Sequence, residues 1–545
     1  MQRRNVYGLL PFLLGLFVNS ALAQEPQFNM NAVGANNFLE SPWDLEYGPD
    51  GYLWVTEREK GIVLRVNPET AERDELVDIE EVYSSSRQEG LLGMALDKNF
   101  ELGSPYVYLS YTYLDGEKYQ RLVRYTYEIT AGNGTLSYPI TILEKLPASN
   151  DHNSGRLIVG PDGKLYYTIG DLGANQNRNY CNLVLSQNLP SQEEVDQQNW
   201  TNYPGKVLRL NTDGSIPDDN PPLNGVRSHI FSYGHRNAQG IVFGANGLLY
   251  SDEHGPNTDD EVNIIYAGKN YGWPFVVGFR DDQAYDYCNW SSLENCSSVG
   301  YDGDVCPDNA DVFEESEFTE ANYQEPLASM FAVGDDYNFD DPRCSSSWFC
   351  RPNVAPSSIG IYESDAIPSW KNSLLVTSLK RGQIYRYQLD ESGTSIMGDT
   401  TIHFYSANRY RDVVVHPDGK TIFFLTDDSG RTSTADGLSQ ASSLRNPGNI
   451  LQFSLLETTT SQSVDLNSPV KVYPNPSSQH IRIAYENLPG SYEAELVEVT
   501  GRVIKRVSYI TSRIQEVSTQ DISPGVYILR VTSARGTWQE RLILK

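Results

Sequence analysis

Three clusters of polar residues in this 545-residue chain have types and spacings that could do chemistry. The first reads Asp151-His152-Asn153-Ser154-Gly155-Arg156 and is followed, after a short apolar stretch, by Gly170-Asp171. An imidazole titrates near neutral pH, so His152 can act as a general base if a carboxylate fixes its tautomer, and Asp151 or Asp171 can supply one. A loop histidine is more often structural, but this one, among only seven, is flanked by acids and turn glycines at a strand end. The second cluster runs from Gly255-Pro256 through Asp259-Asp260-Glu261, with Asn270 to Pro274 and Asp281-Asp282 downstream. Carboxylates mixed with carbonyls exposed by Gly and Pro are the oxygen donors Ca²⁺ requires, although the EF-hand spacing is absent and any such site is irregular. The third is basic: Arg236-Asn237, Lys380-Arg381 and Arg409-Tyr410-Arg411-Asp412. Convergence of these loops would build a pocket for a ligand with several carboxylates.

These clusters need a scaffold that brings distant loops together. From about residue 40 to 455 helical periodicity is almost absent, and short strands alternate with Gly, Asn, Asp and Pro turns. A turn followed by a strand recurs: Gly48-Pro49-Asp50-Gly51 before Tyr52 to Val55, Gly160-Pro161-Asp162-Gly163 before Leu165 to Thr168, Asn246-Gly247 before Leu248 to Tyr250, and His416-Pro417-Asp418-Gly419 before Thr421 to Phe424. A second signature, a glycine and then a strand, covers Gly61 to Val66, Gly205 to Leu210, Gly382 to Tyr387 and Gly448 to Phe453. Units that cannot bury their own faces stack radially, which predicts an all-β chain with a six-bladed β-propeller over residues 30–456. A single β-sandwich would not explain a signature that returns across so long a stretch.

The ends read differently. Arg3-Arg4, an apolar run from Leu9 to Val18 and Ala21-Leu22-Ala23 form a signal peptide over residues 1–23, too short and too clearly bounded by a cleavage pattern for a membrane anchor. No other segment is apolar enough to span a bilayer, so the chain is expected to be exported and not membrane-spanning. A polar linker follows at 457–469, and short strands after Val472-Tyr473-Pro474-Asn475-Pro476 predict a small β-sandwich over 470–545. With 42 basic against 71 acidic residues, net charge −29, nucleic-acid binding is excluded. Six cysteines in an exported chain favour disulfides. Cys344 and Cys350 can staple one loop, while Cys181, Cys288, Cys296 and Cys306 leave three pairings open.

Several stretches resemble the soluble PQQ-dependent glucose dehydrogenases within the glucose/sorbosone dehydrogenase family: Gln88 to Gly93, Asp151 to Arg156, Tyr166 to Asp171, Gly234 to Asn237, Gly255 to Glu261, Asn270 to Pro274, Ser378 to Gly382 and Asn408 to Val413. The resemblance implies oxidation of an aldose at its anomeric carbon to a lactone, by base-assisted hydride transfer to pyrroloquinoline quinone (PQQ). It implies that His152 is the base and Asp171 orients it, that Gln88, Asp151, Gln176 and Trp348 lie at the sugar, and that Arg236 and Asn237 contact the quinone. It likewise assigns Lys380, Arg409 and Arg411 to the cofactor carboxylates, and the carbonyls of Gly255 and Pro256 to a Ca²⁺ that bridges to PQQ. A second, structural Ca²⁺ would use Glu261, Tyr271, Asp281 and Glu315. An external electron acceptor and a homodimer are expected on the same ground. The last 75 or so residues, with Tyr473-Pro474-Asn475-Pro476, Gly525-Val526-Tyr527 and a basic terminus, resemble the C-terminal sorting domain of type IX secretion, which implies release or attachment at the cell surface.

The chain also departs from that pattern. Arg351 stands where the family has a tryptophan beside the sugar, and the inserts around 177–199 and 287–306 differ, so the preferred sugar stays open. Two other functions account for less of the sequence. A calcium-dependent lactonase-type hydrolase leaves Lys380, Arg409 and Arg411 without a task, and a sugar-binding propeller without chemistry leaves His152 without one.

Overall fold

The computed structural model describes residues 25–86, 88–130, 132–303, 305–456, 470–485, 491–498, 502–533 and 536–545. The signal peptide expected at 1–23 and the linker expected at 457–469 lie outside them. Two compact units form, Met1–Leu456 and Glu457–Lys545.

The first unit is built on six four-stranded antiparallel sheets. Their first strands are Pro42–Tyr47, Leu91–Leu96, Leu157–Val159, Ala238–Phe243, Pro356–Tyr362 and Tyr410–Val415. The recurrent turns work as their chemistry requires: Gly51 and Gly163 sit at φ 80° and 74°, a region closed to most side chains, and each turn leads into the second strand of its sheet. Those strands, such as Leu53–Glu57, Leu165–Ile169 and Thr421–Thr426, are buried along their whole length, because each sheet is covered on both faces. Helix among the described residues amounts to short pieces such as Gln192–Asp196 and Ser347–Cys350.

Six apolar cores lie between consecutive sheets. Trp54 and Val63 of the first meet Met94 and Leu109 of the second, and Tyr108 of the second meets Leu165 and Leu208 of the third. The series continues through Val207 with Ile241, Tyr250 with Leu374, and Leu375 with Ile422. The last core returns to the start, packing Phe423 and Leu425 of the sixth sheet on Leu45 and Val55 of the first. Each such side chain contributes about 1.5–3 kcal/mol by leaving water. The sixth sheet takes its outer strand from the other end of the unit: Phe28–Ala32 pairs with Ile450–Leu455.

One buried arginine joins the first strands. Arg156, just before the third sheet, pairs with Asp44 of the first at 3.1 Å and Asp412 of the sixth at 2.8 Å. It also donates to the carbonyls of Gln239 in the fourth and Ser357 in the fifth. Asp44 in turn accepts from the Met94 amide of the second, so one polar hub touches all six sheets.

Three disulfides are present among the described residues: Cys344–Cys350, as expected, and Cys181–Cys296 with Cys288–Cys306, one of the three pairings left open. The second unit holds a three-stranded and a four-stranded antiparallel sheet around one shared core that includes Ile481, Ile483, Leu496, Leu529 and Leu542. Among the described residues no helix is long and apolar enough to cross a membrane.

Candidate active site

A cavity of about 960 Å³ brings together Asp151, His152, Gln176, Arg236, Gly255, Pro256, Trp348 and Lys380. The turns between strands deliver these residues. His152 and Ser154, at φ 45° and 54°, occupy the left-handed region in the tight loop ahead of the third sheet, a strained conformation of the kind that collects at functional sites.

His152 Nδ1 lies 2.8 Å from Asp171 Oδ1. The same carboxylate accepts from the Gly173 amide at 2.8 Å and from Trp273 Nε1 at 2.9 Å. An ionised carboxylate only accepts, so the imidazole proton sits on Nδ1 and Nε2 keeps its lone pair. The opposite side of the ring leads to the same tautomer. Arg236 can only donate, and it donates to Gln176 Oε1 at 2.6 Å. That orientation turns the Gln176 amide nitrogen toward Asp151 Oδ2 and His152 Nε2, each at 3.1 Å. A lone pair aimed into the cavity, capped by an amide that a substrate hydroxyl can displace, is a general base ready for use.

Arg236 is held from behind. Its backbone amide and that of Asn237 donate to Glu253 Oε1, while Glu253 Oε2 pairs with His235 at 3.0 Å. Its guanidinium also donates to the His254 carbonyl at 3.1 Å and lies over the Trp273 ring. Arg236 Nε and Asn237 Nδ2 are buried with no hydrogen-bond partner. Of these two orphaned donors Arg236 borders the cavity, and a buried donor left open there fits a ligand rich in acceptors, as an oxidised quinone with carboxylates is.

Lys380 donates to the Arg351 carbonyl at 2.8 Å and to Asn353 Oδ1, with the Trp348 ring centroid 5.0 Å from its ammonium. Burial, reinforced by the charge of Arg381, pulls its pKa down to about 6. A cation so disfavoured regains its charge when an anion arrives.

Not all expected residues meet here. Gln88, Arg409 and Arg411 border a separate cavity of about 110 Å³, and His254 borders both. Arg409 and Arg411 share Asp427, at 3.0 and 2.8 Å, so their forks already hold a carboxylate from the chain itself. Asn237 lies behind Arg236, bonded to Ser154 and Gln239.

The four residues expected at a second ion fall in two neighbouring groups, joined where Glu315 accepts from the Val277 amide and Glu261 from the next one, Gly278. Glu261 and Tyr271 border an ion-sized void of about 10 Å³, together with Glu253 and Gly255. Asp281 and Glu315 do not border it. Glu315 instead accepts from the amides of Val277, Asp281 and Asp282, closing that loop, and burial pushes its pKa up to about 7. Glu261 is buried and pushed well above the usual carboxylate range, by burial first and the Glu253 charge second. Glu253 and Glu261 put two buried carboxylates at this void, which Arg236 also borders, and such oxygens suit a hard divalent cation. Among the described residues no group of three or more His, Cys, Asp and Glu gathers as a metal cluster, so any ion would rely on backbone carbonyls as well.

Glu253, His254, Trp273 in its contact with Asp171, and Asp427 were not singled out from the sequence. Glu253 and His254 gave no signal beyond polar residues at a strand end, and Asp427 followed a strand with no partner near in sequence.

Residues 39–300 and 321–434 match the family described as Glucose / Sorbosone dehydrogenase. The chain belongs to that family. It is 42% identical over 446 residues to quinoprotein glucose dehydrogenase B of Acinetobacter calcoaceticus, covering 79% of this chain and 92% of that protein. It is 27% identical to an aldose sugar dehydrogenase of Escherichia coli, covering 78% of this chain and 97% of the relative. Among solved structures, the PQQ-bound aldose sugar dehydrogenase of Streptomyces coelicolor aligns with a TM-score of 0.53 at 25% identity, over 79% of this chain and all of that one. Residues 471–545 match the secretion system C-terminal sorting domain.

Proposed function

We propose that this member of the family is an exported, PQQ- and Ca²⁺-dependent dehydrogenase that oxidises an aldose at its anomeric carbon to the lactone and passes the electrons to an external acceptor. The observation that carries the reading is the His152–Asp171 pair, its Nε2 lone pair aimed into the cavity that also holds Arg236, Lys380 and the Gly255-Pro256 turn. Similarity to a quinoprotein glucose dehydrogenase over four-fifths of the chain supports the same assignment.

In this reading the anomeric hydroxyl displaces the Gln176 amide and gives its proton to His152 Nε2. Asp171, anchored by Trp273 and Gly173, stabilises the resulting imidazolium without taking the proton. Asp151 and the freed Gln176 amide orient neighbouring sugar hydroxyls. Arg236, with Asn237 behind it, would supply donors to the bound cofactor, and Lys380 would hold one of its carboxylates. PQQ, when bound, supplies the acceptor for the two electrons that leave the anomeric carbon as hydride. The carbonyls of Gly255 and Pro256 would hold the Ca²⁺ that polarises it, and Glu253, Glu261 and Tyr271 would hold a second ion. Arg409 and Arg411 would reach the cofactor only through the neighbouring cavity, sharing charge with Asp427.

We further read the six sheets as the blades of a six-bladed β-propeller spanning 30–456, closed by the strand Phe28–Ala32, with a β-sandwich sorting domain over 470–545. A signal peptide at 1–23 and that sorting domain would deliver the protein outside the cell or onto its surface. The test is dye-linked oxidation of an aldose panel by protein reconstituted with PQQ and Ca²⁺, with the product identified by NMR. Lactone formation dependent on PQQ supports the assignment, and absence of turnover with every aldose overturns it.

A further inference from the structure

One indole touches both charged groups on which the chemistry depends. Trp273 Nε1 donates to Asp171 Oδ2 at 2.9 Å, while the other oxygen of that carboxylate lies 2.8 Å from His152 Nδ1. The face of the same ring lies under the Arg236 guanidinium, whose central carbon is 5.2 Å from the ring centroid. An aromatic ring is electron-poor at its edge and electron-rich on its face, so the carboxylate at the N–H and the cation over the face each meet the sign they need.

The ring is locked between these partners. It is buried and packs among Ala174, Val184 and Val277. Its backbone is pinned on both sides: the amide donates to the Gly234 carbonyl at 3.0 Å, and the carbonyl accepts from Gln187 Nε2 at 2.7 Å. Gln187 is fixed in turn by Asn270, with which it exchanges hydrogen bonds of 3.0 and 2.8 Å. The approach at Gly234 leaves no room for a side chain, since φ is 79° and a Cβ would lie 2.2 Å from Asn270 Oδ1. Val184 and Gln187 belong to the insert around 177–199, so that insert bears on both the base and the arginine through one side chain. Packing and hydrogen bonds of this kind hold a functional group in its productive geometry.

We propose that Trp273 is a positioning residue with two separable tasks: its N–H tempers the basicity of the His152–Asp171 pair, and its ring face holds Arg236 at the cavity. A donor to an ionised carboxylate draws charge from it, so without the N–H Asp171 stabilises the His152 imidazolium more strongly and His152 takes up its proton at higher pH. A base made too strong is already protonated and cannot accept the proton of a sugar hydroxyl. The other charged or titratable groups at the His152 ring are Asp151, 3.9 Å from Nε2, Arg236, and His254, which burial keeps uncharged. The proposal rests on the dehydrogenase reading only for what the base and the arginine act upon.

The test follows the His152 ring by NMR in full-length, PQQ-free protein carrying ¹⁵N-histidine, its signal identified by its loss in His152→Ala, and measures PQQ binding in the presence of Ca²⁺ by calorimetry. Trp273→Phe keeps a ring and loses the N–H, so the His152 midpoint is expected to rise by about 0.5–1 pH unit while PQQ affinity stays within about twofold of the parent. Trp273→Leu loses both features and should show the same rise together with PQQ affinity about tenfold weaker. A midpoint that stays in place in both variants, or PQQ affinity lowered equally in both, would overturn the proposal, since loss of packing alone gives that pattern. If the midpoint rises as expected yet the parent oxidises no aldose, the coupling stands and the dehydrogenase reading falls. If the parent oxidises aldoses and the midpoint does not move, the reverse holds.

Discussion

Replacing Asp171 by Asn removes one charge and almost no volume, so its effect isolates the electrostatic part of the site. The carboxylate accepts three hydrogen bonds, from His152 Nδ1, Gly173 N and Trp273 Nε1, at 2.8, 2.8 and 2.9 Å. An amide has one acceptor arm and one donor arm. With its oxygen toward His152 and Gly173, its NH₂ faces the Trp273 N–H. With the amide flipped, the NH₂ faces His152 Nδ1 and forces the proton onto Nε2, which destroys the base. Either arrangement leaves a buried donor unmatched, at a cost of about 1–3 kcal/mol in stability. Loss of the oriented base costs more in rate: kcat is expected to fall about 10²- to 10⁴-fold, the share of general-base catalysis, equivalent to about 3–5 kcal/mol in the barrier. Steady-state dye reduction at saturating PQQ, alongside a PQQ titration, separates the two effects, with cofactor affinity expected within a few-fold of the parent. A variant that keeps kcat within threefold, or that loses turnover only because PQQ no longer binds, would refute the tautomer argument.

Arg156→Met leaves Asp44 and Asp412 buried without their cation and should destabilise the first unit by about 3–5 kcal/mol, read by denaturant unfolding. Burial already holds the Asp44 carboxyl up at about 7, against the pull of Arg156, so the folded variant takes up protons more readily than the unfolded chain. Its deficit should therefore shrink between pH 8 and pH 5, and a pH-independent deficit would contradict this. Lys380, held at about 6 mainly by burial, is neutral at pH 8 until an acidic cofactor restores its charge. Binding should then take up about one proton, and affinity should fall as pH rises above 6. Calorimetry in buffers of different ionisation enthalpy reads this, and Lys380→Met should abolish it. Ca²⁺ should raise the thermal midpoint of the PQQ-free protein, with Glu261→Gln reducing the gain; a Ca²⁺-independent midpoint would remove the second ion from the account.

Much of this was legible in the sequence where the signal is local. The Asp-Gly and Asn-Gly turns announced the strands at Leu53, Leu165, Leu249 and Thr421, because a left-handed turn position selects its residues directly. His152 and Asp171 could be read from residue types at strand ends. The strand Phe28–Ala32 could not be assigned its place, since its partner Ile450–Leu455 lies more than 400 residues away and pairing leaves no mark on composition. The cysteine pairing was hidden for the same reason. Glu253 and Asp427 act through backbone amides and guanidinium groups supplied by other loops, so nothing around them in sequence distinguishes them from surface acids. The second-ion residues were carried over from the resemblance, and only Glu261 and Tyr271 reach the same void.

The central claim is that one cavity holds both the quinone and the base. It is tested most directly by absorbance titration of PQQ, with Ca²⁺, into the parent protein and His152→Ala, followed by addition of aldose. The account predicts saturable quinone binding by both proteins, reduction of the bound quinone by sugar in the parent, and a rate at least about 10²-fold lower in the variant. Absence of quinone binding by the parent, or reduction by the variant at the parental rate, would contradict it.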